Sequence, residues 1–168
     1  MSTAPVPSFD QVMELPAWVD TTVSADFIDE NGHMNIRHYL ELDALSTTLL
    51  CEEIGIDDGY RTERRMGVFT AEHHLRYFSE MHEGEKLSVH VRVLARSSRA
   101  VHMMTFLLDR THGRLANTLE LVLVHVDMDT RRAVPLPDDI AAGFDRFLSD
   151  DGHLAWQAPV CGVMGVRS

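Results

Sequence analysis

The chain has 168 residues, a hydrophobic fraction of 45%, a charged fraction of 24% and a formal net charge of -11. Such proportions suit one globular domain with a sizeable core, and the acidic balance excludes a nucleic-acid surface, which needs a basic face for phosphate. No apolar run reaches the length of a membrane span and the N-terminus lacks the basic and apolar regions of a secretion signal, so no membrane partner and a cytoplasmic setting are expected.

Residues 1–16 carry Pro5, Pro7 and Pro16 with little periodicity and read as an N-terminal arm. A first strand is expected over Trp18 to Ala25. Next comes a polar run in which Asp29, Glu30, Asn31, Gly32, His33, Met34 and Asn35 lead into a helix from Tyr39 to Ile54. Its apolar stripe is expected to be Tyr39, Leu42, Leu45 and Leu49, broadened by Leu50 and Ile54. One polar side chain suffices to cap a helix, with Asn31 or Asn35 as the candidates, and this run supplies several more. Backbone N–H groups at a helix start are short of partners and attract an oxyanion or a polarised carbonyl, and Gly32 lets a ligand approach the backbone.

A polar turn from Gly55 to Arg65 precedes a strand-rich stretch. Strands are expected over Met66 to Phe78, Glu85 to Arg96, Ala100 to Asp109 and Leu115 to Met128, with Gly84 in one turn and Thr111 to Arg114 as a hairpin loop. Leu87, Val89, Val91, Val93 and Ala95 alternate with Ser88, His90, Arg92, Leu94 and Arg96, the period of a half-buried antiparallel strand. The same alternation puts Val68, Thr70, Glu72, His74 and Arg76 on one face. Pro135 and Pro137 end the sheet, and a short helix is expected from Asp138 to Phe147 before a tail over 149–168. One helix cannot cover both faces of such a sheet, so the tail or a partner must cover the other, and a homodimer or a dimer of dimers is expected.

Cys51 and Cys161 lie far apart and show neither zinc nor redox spacing, so both are read as reduced thiols. Neither His33 with His38 nor His73 with His74 matches a known metal-binding spacing, and no metal is expected.

The order of strand, polar turn, apolar helix and four antiparallel strands resembles the hotdog-fold acyl-CoA thioesterases of the 4-hydroxybenzoyl-CoA thioesterase-like superfamily. The resemblance is carried by Asp29, Asn31, His33, Asn35 and Tyr39 in the turn. Arg76 and Tyr77 with Gly84 to Leu87, and Val134 to Pro137, match later segments. It implies an α+β hotdog domain over 17–148, a long central helix wrapped by about five antiparallel strands, and hydrolysis of a small acyl-CoA without any cofactor, coenzyme A being part of the substrate. Ile36 departs from the pattern, since many relatives carry a second Asn there.

Thioester hydrolysis needs a base or nucleophile, stabilisation of a tetrahedral oxyanion and a grip on the thiol half. Asp29 fits the first role as base or as nucleophile, and Glu72 competes with it. Asn31 and His33 would orient the water, the carbonyl or Asp29. Backbone N–H groups over Gly32, His33, Met34 and Asn35 would receive the oxyanion beside Tyr39. An acidic protein that binds coenzyme A needs a local cationic mouth, and by the resemblance Arg96, Ser97, Ser98 and Arg99 supply it, with Arg92 in the same cluster and Arg131 and Arg132 later in the chain. Similarity to the thioesterase part fused to some L-carnitine dehydrogenases points to a quaternary-ammonium acyl group such as betainyl, which aromatic residues and a carboxylate would hold. A hotdog enoyl-CoA hydratase or dehydratase, or a non-catalytic acyl-CoA-binding module, would share the fold.

Overall fold

The computed structural model describes residues 4–166, so the first three residues of the arm and the last two of the tail lie outside the described residues. Five strands form one antiparallel sheet: β1 (Ala17–Thr22), β2 (Met66–Tyr77), β3 (Lys86–Arg96), β4 (Ala100–Asp109) and β5 (Arg114–Asp127), in the order β1-β3-β4-β5-β2. The arm contains a helical turn, α1 (Phe9–Val12), that the proline-rich sequence hides. Ser8 and Gln11 cap it reciprocally, each side chain bonding the other's backbone N–H. The central helix is α2 (Ile36–Glu53), followed by α3 (Asp58–Glu63) inside the supposed polar turn and α4 (Asp138–Asp151) after the sheet. The expected hotdog architecture is observed, and no helix among the described residues is long and apolar enough to cross a membrane.

Helix α2 starts before Tyr39 because Asn35 takes the cap, its Oδ1 accepting from the Arg37 N–H at 3.1 Å. Its buried residues are His38, Tyr39, Leu42, Asp43, Ser46, Thr47, Leu50 and Cys51. This corrects the expected apolar stripe, because Leu45 is 45% exposed and polar residues fill the middle of the buried face. Asp43 there accepts hydrogen bonds from Thr105 Oγ1 at 2.7 Å on β4 and Asn117 Nδ2 at 2.9 Å on β5. Burial pushes its carboxyl up to about 7, against the lowering effect of the Asn117 and Thr105 hydrogen bonds.

Strand β3 is buried on both faces rather than half-buried. Leu87, Val89, Val91 and Val93 join the core on the helix side, while His90 on the other face bonds Ser88 Oγ at 2.9 Å and the Leu15 carbonyl at 2.8 Å. The chain's own ends supply that second cover: Val12, Leu15 and Trp156 pack with Met104, Phe106, Leu108 and Leu115. Trp156 meets Phe106 edge-on at 5.4 Å and carries the Arg92 guanidinium 4.5 Å above its ring. Past the last β1 pairing, Asp151 Oδ2 accepts from the Val93 N–H at 2.9 Å and so satisfies a free edge amide of β3. Helix α4 packs closely enough on α2 that a Cβ on Gly143 would lie 2.7 Å from Ile54 Cβ.

Strand β2 is different. Among the described residues it pairs only with β5, and Phe69 to His74 are all exposed. A register shift between Thr70 and Glu72 leaves Ala71 as a bulge, which reverses the alternation. Thr70 pairs with Leu123 and His73 with Leu121, core residues on the α2 side, so Glu72 and His74 lie on the opposite face. The expectation that Val68, Thr70 and Glu72 share one face is therefore overturned by a single inserted residue.

Candidate active site

The turn from Asp29 to Asn35 closes on itself through local hydrogen bonds. The Gly32 N–H donates to the Asp29 carbonyl at 3.0 Å and the Asp29 N–H to the His33 carbonyl at 3.1 Å. Gly32 has φ +83°, where an L side chain would be strained although nothing lies within 4 Å of a Cβ placed there. The Asp29 carboxylate is gripped at both oxygens: Oδ1 accepts from the Asn31 N–H at 2.9 Å and Oδ2 from Asn35 Nδ2 at 3.2 Å. Asn35 thus caps α2 with its oxygen and steers Asp29 with its nitrogen.

Backbone donors of the turn are largely committed. Gly32 serves the turn, Met34 donates to the Met81 carbonyl at 2.7 Å and Asn35 to the Phe27 carbonyl at 2.8 Å. Of the four expected oxyanion donors, His33 is left with an N–H that has no backbone partner among the described residues, and Ile36, outside the expected set, is left with another. His33 is partly buried, with Nδ1 3.4 Å from the Met34 carbonyl and Nε2 3.8 Å from Glu80 Oε1.

An open cleft of about 290 Å³ adjoins the turn, lined by His33, Met34 and Ile36 together with Tyr39, Tyr77 and Ser79. Tyr39 is 3% exposed, donates to the Ser79 carbonyl at 3.4 Å and meets Tyr77 edge-on at 5.3 Å. Burial pushes its phenol up to about 12, which keeps it a neutral wall. The Ser79 hydroxyl oxygen is buried without a partner among the described residues, a lining donor that no sequence motif announced. Phe78 and Glu80 also line the cleft and were likewise missed, because they lie beyond the end of β2.

The other candidates do not join this cleft. Of the turn candidates, His33, Met34 and Tyr39 line it, while Asp29, Asn31, Gly32 and Asn35 are bonded together in the adjoining turn; Glu72 sits in mid-β2 on the face away from α2. Arg96, Ser97, Ser98 and Arg99 occupy the far end of β3 from Lys86, which pairs with Thr22 beside the turn; at about 3.3 Å per residue the length of β3 separates them by roughly 30 Å. Arg96 is held there by Asp145 through Nε at 2.6 Å, and Ser97 Oγ accepts from the Arg99 and Ala100 N–H groups. Arg92 donates to the Trp156 and Asp151 carbonyls. Arg99 is the exposed cation of the turn with no ion-pair partner among the described residues.

The chain is similar to known proteins in sequence and in fold. L-carnitine dehydrogenase/betainyl-CoA thioesterase of Rhizobium meliloti (strain 1021) is 31% identical over 141 residues, 84% of this chain but 28% of that protein, so the chain spans under a third of that relative. Betainyl-CoA thioesterase of Pseudomonas aeruginosa PAO1 is 28% identical over 140 residues, 83% of this chain and 87% of that one. Among solved structures, a Staphylococcus aureus protein in complex with CoA superposes with a TM-score of 0.81 at 21% identity, covering 91% of this chain and 97% of that one. A putative thioesterase from Pseudomonas putida KT2440 gives a TM-score of 0.75 at 22% identity, covering 98% and 99%. The family model of the thioesterase-like superfamily matches residues 23–144, a span that begins ahead of the Asp29 turn and ends in α4, and the chain belongs to that superfamily.

Proposed function

We propose that this chain hydrolyses a small acyl-CoA thioester, with Asp29 as the working carboxylate and an acyl group such as betainyl. The observation that carries the reading is the Asp29 carboxylate, fixed by the Asn31 N–H and the Asn35 side chain at the start of α2, in the turn whose His33 and Met34 line the cleft. As base, Asp29 takes a proton from water as its oxygen attacks the thioester carbon. The oxyanion is received by the N–H groups of His33 and Ile36, and the C–S bond then breaks with the proton passing to the leaving thiolate. Direct attack by Asp29 would give an anhydride that water opens, with the same products. Neither route calls for a redox cofactor.

The betainyl assignment is supported by the names of both relatives. It is also supported by the cleft walls, in which Tyr39, Tyr77 and Phe78 offer ring surface and Glu80 a carboxylate for a quaternary ammonium.

The free edge of β2 supports a homodimer in which a second copy pairs antiparallel along it. That pairing would bring the partner's 97–99 turn to the end of the sheet that holds Asp29, two strands in from the shared edge, or about 15 Å. That is where Arg99 could meet the phosphates of coenzyme A.

The test is thiol release from short, branched, aromatic, long-chain and betainyl CoA esters by wild type, Asp29→Asn and Glu72→Gln. Asp29→Asn should lose about 100-fold or more in kcat while Glu72→Gln stays within a few-fold. Full kcat in a folded Asp29→Asn removes Asp29 from the mechanism. Hydration of an enoyl-CoA without thiol release identifies a hydratase, and neither activity leaves a binding module.

A further inference from the structure

The outer face of the sheet, remote from the cleft, holds a group of residues that the thioesterase chemistry does not use. Glu120 is 2% exposed in the middle of β5, between Leu119 and Leu121. A carboxylate so placed is costly to desolvate and requires compensation. Two partners provide it: His102 Nε2 on β4 lies 2.9 Å from Oε1, and the Cys161 N–H donates to Oε2 at 2.7 Å. A carboxylate offers about four lone-pair sites, so each oxygen can still accept another contact. His74 stands opposite Glu120 in the β2–β5 register, and the Ala71 bulge is what turns it to this face. One ligand atom each from His74, Glu120 and Cys161 lies within 4.8 Å of the others.

We propose that His74, Glu120 and Cys161 form a transition-metal site, suited by its donors to zinc, that clamps the C-terminal segment to the sheet. An imidazole nitrogen, a carboxylate oxygen and a thiolate make a mixed set that zinc accepts, and water or a ligand fills the fourth position. Tetrahedral zinc needs donor atoms roughly 3.3–3.6 Å apart, so shifts of about 1 Å close the group. His102 then acts as the outer residue that orients Glu120. His74 is exposed and gives the ion a way in, while Glu120 anchors the site from below. Cys161 is half-buried, whereas the other thiol, Cys51, is buried in the core with its ionisation pushed up to about 12 by desolvation and is inert. The expectation of no metal rested on spacing between neighbours in sequence; these ligands come from β2, β5 and the tail.

The experiment titrates cobalt(II) and zinc(II) into the full chain after treatment with a chelator. Cobalt should produce a thiolate-to-metal charge-transfer band in the near ultraviolet that zinc displaces. The band should persist in Cys51→Ser, vanish in Cys161→Ser and require at least 10-fold more cobalt in His74→Ala. Zinc should raise the melting temperature of wild type and not of His74→Ala, whose exposed position leaves folding intact. Absence of the band, or its survival in Cys161→Ser, overturns the proposal, as does equal zinc stabilisation of His74→Ala. Hydrolase activity is not the readout, so the outcome is independent of the assignment of Asp29.

Discussion

Replacing Asp43 by asparagine isolates the consequence of a charge buried beneath the central helix. Asp43 is fully buried, accepts from Thr105 and Asn117, and has its carboxyl pushed from 3.8 to about 7 by desolvation. A carboxyl whose folded value is raised binds more protons in the folded than in the unfolded state between those limits. Its ionisation therefore destabilises the fold progressively from about pH 4 to pH 7, with nothing lost below that window and the full loss above it. At about 1.4 kcal/mol per pH unit the full effect is on the order of 4 kcal/mol. Asparagine carries no charge at any pH. Its oxygen can keep the Thr105 hydrogen bond, and its amide can donate to Asn117 Oδ1, which has no partner in the wild type among the described residues, once the Asn117 amide turns over. Urea unfolding of both proteins at fixed concentration from pH 4 to pH 8 should show the stability of Asp43→Asn rising relative to wild type by several kcal/mol. Asp151, raised to about 6, also titrates in this window, and burial lowers His90, but both groups are common to the two proteins and cancel in the difference. A difference that stays flat with pH would refute the reasoning, since it would mean that Asp43 is already charged near pH 4 in the folded protein.

Helix propensity alone predicts that Gly143→Ala stabilises α4 by about 1 kcal/mol. The new Cβ would sit 2.7 Å from Ile54 Cβ and 2.9 Å from its Cγ2, both on a branched side chain attached directly to α2, so overpacking should win by about 1–3 kcal/mol, read as a lower urea midpoint; an unchanged or higher midpoint would show that α4 moves freely off α2. Phe69 is 64% exposed on the edge strand β2, and Phe69→Lys should shift the chain toward monomer in light scattering by placing a charge on the pairing edge. An undiminished dimer would rule out β2 as the interface.

The Asp29 turn was legible because its bonds are local: Asp29, Asn31 and Asn35 lie within six residues of one another, and the cap, the turn and the carboxylate grip need nothing from elsewhere. Apolar runs bounded by turn residues likewise located all five strands, although α1 and α3 were hidden among prolines and polar residues. Sequence alternation could not place Glu72, because the bulge at Ala71 exists only in the pairing with β5. Nor could it foresee a polar stripe under α2, whose Asp43 is compensated by residues 62 and 74 positions away.

The sequence by itself determined the succession of strands along the chain, the central helix and the polar turn at its start, since hydrophobic period and capping act over a few residues. Tertiary structure decided which face of the sheet Glu72 takes, how the arm and the tail cover the outer face, and that His74, Glu120 and Cys161 meet. Those outcomes depend on strand register and on contacts between distant segments, which no local pattern encodes.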